Sequence, residues 1–231
     1  MLLGNKVRLQ PNKEQESLFF QFAGTSRFAW NQSKNFYDTL FKDKGEYATI
    51  QQITKHLQDL KHNNPDYAWL NNTPESITKQ AIRDLYKAYQ KGYSGRKKAQ
   101  KKSKHSKKSN YDYCMPNFKK KGKCKESFYQ RIDRIHKTDD THVKITGIVK
   151  PVKCTALRGI DLPEHIQNPR ITFDCKYWYL SYSFEVTDED VVTDFSRESL
   201  GIDLGVKDFV ITSDGRHYPN INKSPEIRRL R

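Results

Sequence analysis

From Pro169 to Val186 polar and apolar residues alternate with almost no interruption. Trp178, Leu180, Tyr182, Phe184 and Val186 fall on one side, and Tyr177, Tyr179, Ser181, Ser183 and Glu185 on the other. A period of two sets one row against a core and leaves the other in water, so the stretch predicts an antiparallel sheet or small barrel with one wet face. Pro169-Arg170-Ile171-Thr172-Phe173 leads into it through Asp174-Cys175-Lys176. Shorter alternations at Lys6-Val7-Arg8-Leu9, His142-Val143-Lys144-Ile145 and Gly147-Ile148-Val149 add strands. Tyr177 and Tyr179 lie on the wet row, where aromatic rings either contact nucleic acid or simply tolerate solvent.

Between residues 12 and 92 the period is helical. Asn12 with Gln15, and Thr49 with Gln52, have capping-box spacing, and Thr73-Pro74 opens a third segment. Leu18, Phe19, Phe22 and Ala23 share a face, and after Gly24 the pattern resumes with Ala29, Trp30, Tyr37, Leu40 and Phe41. Ile50, Ile53, Leu57 and Leu60 line the second helix before Asn63-Asn64-Pro65. Ile77, Ala81, Leu85 and Ala88 line the third, and Gly92 is placed to end it. Three amphipathic helices make a small bundle whose aromatics are core, with no catalytic constellation.

The formal net charge is +15, and residues 91–125 contribute +13 of it, with 14 Lys or Arg against one acid, Asp112. Arg96, Lys97, Lys98, Lys101, Lys102, Lys104, Lys107 and Lys108 sit among almost no apolar residues, too few to bury a core. A mobile loop that settles on a phosphate backbone is expected there. A solvated charge run is the bland account, but an unbalanced excess of one sign favours a polyanion partner. Phe118 with Lys119, Lys120 and Lys121, followed by Ser127-Phe128-Tyr129, mixes cations with rings that stack bases. No apolar run approaches the roughly 20 residues that span a bilayer, and the first six residues carry no signal-peptide core. A cytoplasmic protein without a membrane partner is expected. Cys114, Cys124, Cys154 and Cys175 include no C-x-x-C pair, so free thiols are expected, and zinc is not.

The acidic stretch 187–199 reads as a linker. It precedes Leu200-Gly201-Ile202-Asp203-Leu204-Gly205-Val206, a short apolar strand with a carboxylate at its centre. A charge in a half-buried strand needs a positive partner, and a divalent metal is the usual one. An aspartate on the wet face of an edge strand is the simpler alternative.

The run GIDLGVKDFVITSDG resembles the first motif of the RuvC-type nuclease fold of the transposon-encoded TnpB/OrfB proteins, relatives of the compact type V CRISPR nucleases. The order of features matches as well. It runs from Pro11, Glu14 and Gln15 through Arg27-Phe28-Ala29-Trp30-Asn31, the basic segment with PNFKKK and the hairpin ending YWYLSYSFEV. The resemblance implies an α+β chain in which an OB-like wedge β-barrel carries an inserted helical bundle. An incomplete RNase H-like (RuvC) domain then follows. The barrel would take 1–11 and 126–193, the helical recognition lobe of helix-turn-helix type 12–92, the basic segment 93–125 and the RuvC fragment 194–231. Guide RNA and a DNA target are the implied partners and Mg2+ the implied cofactor. Asp203 matches the first catalytic, metal-binding aspartate. The family's remaining carboxylates and its zinc ribbon match nothing up to Arg231, and neither Asp208 nor Asp214 stands at a catalytic position. RuvC-type cleavage needs two metal ions held by several carboxylates. The chain alone is therefore expected to bind nucleic acid without cutting it, unless a separately encoded C-terminal fragment completes the site. Residues 200–231 are expected to pack poorly, with an apolar face left bare. A non-guided basic RNA- or DNA-binding protein is the alternative.

Overall fold

The alternating strand becomes the middle of a seven-stranded antiparallel sheet. Its strands are β1 (Leu2–Gln10), β2 (Ser127–Tyr129), β3 (His136–Asp139), β4 (His142–Lys144), β5 (Val152–Cys154), β6 (Ile166–Asp174) and β7 (Tyr177–Glu185), in the order β2-β6-β7-β1-β5-β4-β3. The first strand of the chain thus inserts between β7 and β5, pairing Arg8 with Tyr179 and Leu9 with both Trp178 and Cys154. The computed structural model describes residues 2–102, 115–155, 166–186, 201–205 and 208–220, with side chains left out for 96–102. They fall into two units, Met1–Glu185 and Val186–Arg231.

The alternation holds in space. Trp178, Leu180 and Tyr182 are buried with Val7, Leu9, Phe128, Val143, Val152 and Ile171, while Tyr177 and Tyr179 stay half-exposed. Gly147-Ile148-Val149, expected as a strand, is instead a turn. Gly147 has φ 81°, and a Cβ there would lie 2.7 Å from Pro74 Cγ and 2.9 Å from Phe22 Cζ. The chain must bend where the helical bundle presses closest to the sheet, so only a residue without a side chain fits.

Three helices form: α1 (Lys13–Lys44) and α2 (Ile50–Asn63) after their expected caps, and α3 (Glu75–Lys102), which starts just after Pro74 rather than at it, Thr73 closing the 3-10 turn before it. Both expected capping boxes form, Asn12 with Gln15 and Thr49 with Gln52. α1 runs unbroken through Gly24, because its early turns are held by the sheet and its later ones by the other helices. Phe19 and Phe22 pack on Phe128 and Trp178, whereas Ala29, Trp30 and Tyr37 pack with Ile53, Leu57, Ile82, Leu85 and Tyr89. α3 does not end at Gly92. An interior glycine costs only about 1 kcal/mol, and Tyr89 and Tyr93 on either side of it pack against α1 and the turn after it. The backbone from Arg96 to Lys102 is therefore helix, which corrects the loop expected there. The cause is propagation: extending an anchored helix by residues such as Arg, Lys, Ala and Gln is far easier than starting one. Lys104, Lys107 and Lys108 lie outside the described residues.

The second unit is a three-stranded antiparallel sheet of β8 (Ile202–Leu204), β9 (Asp208–Thr212) and β10 (His217–Pro219), ordered β10-β9-β8. Ile202, Leu204 and Phe209 are 61 %, 71 % and 60 % exposed, and the whole of β8 is open to solvent.

Replacing Gly147 with alanine combines left-handed strain with a steric clash and is expected to destabilise the protein by about 2–4 kcal/mol. Urea unfolding measures this, and a change below about 1 kcal/mol would contradict the close approach described here.

Candidate nucleic-acid interface

The wet row of β7 meets the polar row of β1 and forms a ladder of cations and rings. The Arg8 guanidinium carbon lies 3.4 Å from the Tyr177 ring centre and Lys6 Nζ 4.0 Å from that of Tyr179. Each cation covers the ring two residues along from its direct partner, because Arg8 pairs with Tyr179 and Lys6 with Ser181. That diagonal reach is natural for long side chains on one face of a twisted sheet. Asp174, 3.6 Å from Lys6, is an exposed ion-pair partner that contributes little. Arg8 Nε is buried without a hydrogen-bond partner among the described residues. The sequence pointed to Tyr177 and Tyr179 but not to Lys6 and Arg8, whose signal was the polar phase of the first alternating strand.

A second constellation joins two stretches that lie far apart in the chain. Asn31 on α1 accepts a hydrogen bond from the Lys119 backbone N–H at 2.8 Å, and its amide donates to the Lys119 carbonyl at 2.9 Å. Trp30 Nε1 donates to the Asn117 carbonyl at 3.0 Å. Arg27 Nη1 donates to both oxygens of Glu126 at 2.6 Å, and the Glu126 carbonyl accepts from the Phe173 N–H of β6. One face of α1 thus fastens the segment that returns from the basic stretch into the sheet. Lys34, 9 % exposed, donates to Asp38 at 2.5 Å and lies 4.9 Å from the Phe118 ring centre. Tyr89 of α3 also donates to Asp38, so α1, α3 and the returning segment meet at one lysine.

These contacts sort the predicted residues. Phe118 is 49 % exposed, and Lys120 and Lys121 are exposed. Lys119 differs: its ammonium lies 3.8 Å from the Trp30 ring centre, and burial lowers its pKa. It belongs to the clamp as well as to any partner. Arg96, Lys97, Lys98, Lys101 and Lys102 are placed by the helical backbone.

Between α3 and the sheet lies an open groove of about 700 Å3, lined by Ser76, Lys79, Arg83, Tyr129, Arg131 and Thr146 among others. Lys79 and Arg131 are paired with Glu75 and Asp133, but Arg83 has no acidic partner among the described residues. Ser76 Oγ and Thr146 Oγ1 are buried without hydrogen-bond partners among the described residues. Nothing in the sequence marked this groove, because its walls come from separate parts of the chain.

In the second unit Asp203 is exposed on β8, opposite Ile211, rather than half-buried as expected. β8 lacks any cover on either face among the described residues, so its carboxylate keeps its water. Asp208 lies 3.4 Å from His217, and Asp214 accepts from Thr212 and pairs with Arg216. Among the described residues no group of three or more His, Cys, Asp or Glu could hold a metal ion, so those present do not fit a two-ion site. Cys124, Cys154 and Cys175 are free thiols. Among the described residues no helix is long and apolar enough to cross a membrane.

In sequence the chain is similar to TnpB/OrfB proteins. A helix-turn-helix domain model of the OrfB IS605 family matches residues 1–46, which here form one strand and one continuous helix. The Escherichia coli (strain K12) protein "Putative RNA-guided DNA endonuclease InsQ" is 25 % identical over 223 residues, covering 94 % of this chain and 48 % of that protein. The chain spans about half the length of this curated relative. A cryo-EM structure of a Cas12f1–sgRNA–target DNA complex aligns with the whole chain and 59 % of its counterpart, at 15 % identity and a TM-score of 0.37.

Replacing Asn31 with alanine removes both arms of the clamp, at about 1–3 kcal/mol, and is expected to free the Lys119 amide for hydrogen exchange. Asn31→Asp keeps the acceptor and should retain most of that protection. Equal exchange in both variants would refute the two-armed clamp.

Proposed function

We propose that this chain is a transposon-associated nucleic-acid-binding protein that holds a guide-type RNA and its DNA target. The observation that carries the reading is the fastening of the strongly basic stretch at both ends to one helix. α3 leads into it from Tyr89 and Tyr93, and the Asn31–Lys119 clamp receives it on return. Held at both ends, the eight cations between Tyr93 and Lys119 gain local concentration. The ladder on β1 and β7 offers rings and cations on a rigid sheet, and the groove beside α3 offers Arg83 and two hydroxyls without partners among the described residues. Phosphate contacts of this kind hold and orient a polyanion without reading its sequence. The RNA-guided activity in the name of the curated relative supports this choice of partners.

Asp203 is proposed as a metal-binding aspartate of a RuvC-type domain and β8–β10 as that domain's opening strands. Mg2+ is the cation such a domain would use. One carboxylate without companions among the described residues makes no two-ion site, so binding rather than cleavage is the proposed activity of this chain.

Replacing Arg96, Lys97, Lys98, Lys101, Lys102, Lys104, Lys107 and Lys108 with glutamine tests the reading. Binding of a labelled single-stranded RNA should weaken, and the slope of log affinity against log salt should flatten by about 0.7 for each phosphate that is no longer neutralised. An unchanged slope would remove the basic stretch from the interface. Failure of the purified protein to retain any RNA species selectively would remove the guide.

A further inference from the structure

The end of the helical bundle farthest along α1 carries an aromatic array that the clamp, the ladder and the groove leave unused. Tyr37 and Tyr89 stack at 3.9 Å with 15° between their planes. Tyr89 donates to Asp38, which Lys34 also holds, so this inner pair is fixed. The Tyr37 and Tyr93 hydroxyls lie 3.4 Å apart, and Tyr93 packs edge-on to Tyr47 at 5.4 Å. Outermost, Phe41 and Tyr47 stack in near-parallel planes, 5.1 Å apart and 16° inclined. Gly45, in the left-handed conformation at φ 69°, ends α1 and turns the chain back so that Tyr47 lies over Phe41. Tyr47 is 56 % exposed and Phe41 38 %.

Phe41 and Tyr47 are held parallel by their own stacking and by the aromatic layer beside them, which leaves a fixed, exposed ring surface. Charge favours one class of occupant. The turn itself is balanced, Lys42 and Lys44 against Asp43 and Glu46. Beyond Tyr93, however, α3 runs on for nine residues that include Arg96, Lys97, Lys98, Lys101 and Lys102 and no acid. A phosphodiester strand following that helix would bring its bases toward rings whose faces accept any base.

We propose that Phe41 and Tyr47 form a base-stacking platform for an unpaired stretch of nucleic acid. This rests on the nucleic-acid reading above and adds to it a subsite that recognises bases rather than phosphates.

The test uses the full chain and two labelled 15-mers, oligodeoxythymidine and an abasic oligomer of the same length, which has the same phosphates but no bases. The wild-type protein should prefer the oligomer with bases. Tyr47→Ala and Phe41→Ala should each weaken that binding about fivefold or more, leaving abasic binding and the salt slope unchanged. Tyr47→Trp should preserve the preference, and far-ultraviolet circular dichroism checks that each variant is folded. Equal wild-type affinity for the two oligomers, or an alanine variant that keeps the preference, would overturn the platform while leaving phosphate binding intact. Loss of both affinities in the alanine variants would likewise overturn it, since that would mark a structural defect. No wild-type binding to either oligomer would overturn the nucleic-acid reading itself.

Discussion

Phe19 and Phe22 of α1, wedged against Phe128 and Trp178 of the sheet, are the contact on which the first unit depends. The four rings lie within 5.1–6.2 Å of one another in the pairs that touch, at tilted or edge-on angles that suit aromatic quadrupoles. This wedge fixes where α1 leaves the sheet. Everything farther along the helix is then placed by its rise of about 1.5 Å per residue: Arg27, Asn31 and Lys34 follow on successive turns and all face the returning segment. Gly147 is the cost of bringing the bundle so close, since Pro74 and Phe22 occupy the space its side chain would need.

The same geometry explains how an uncompensated run of cations can sit in a folded protein. Such a run cannot collapse by itself, and loop closure penalises it only logarithmically with length. α3 anchors one end through Tyr89 and Tyr93, and the Asn31 amide anchors the other. Lys34 stands where they meet, satisfied by Asp38 and by the face of Phe118.

Local rules were legible where a single element sets the outcome. Asn12–Gln15 and Thr49–Gln52 capped their helices as their spacing implies, and the period of two from Trp178 to Tyr182 gave the buried row of β7. They failed where a distant element intervenes. Gly92 has the right chemistry to stop a helix, but tyrosines on both sides carry α3 past it. Gly147-Ile148-Val149 alternates like a strand, but Phe22 forces it to turn. Asp203 sits among apolar neighbours in sequence, yet no described residue buries it.

By itself the sequence determined the helix starts, the wet and dry rows of the sheet, the +15 charge and its concentration in residues 91–125, and the likeness to TnpB/OrfB proteins. These follow from spacing and composition, which act through neighbours a few residues apart. Tertiary structure alone decided that Arg27-Phe28-Ala29-Trp30-Asn31 and Pro116-Asn117-Phe118-Lys119 are two halves of one clamp, that Lys6 and Arg8 cover Tyr179 and Tyr177, and that Phe41 meets Tyr47. Each joins residues that spacing alone does not pair, and only packing around the Phe19–Trp178 wedge and the Gly45 turn brings their short-range forces into reach.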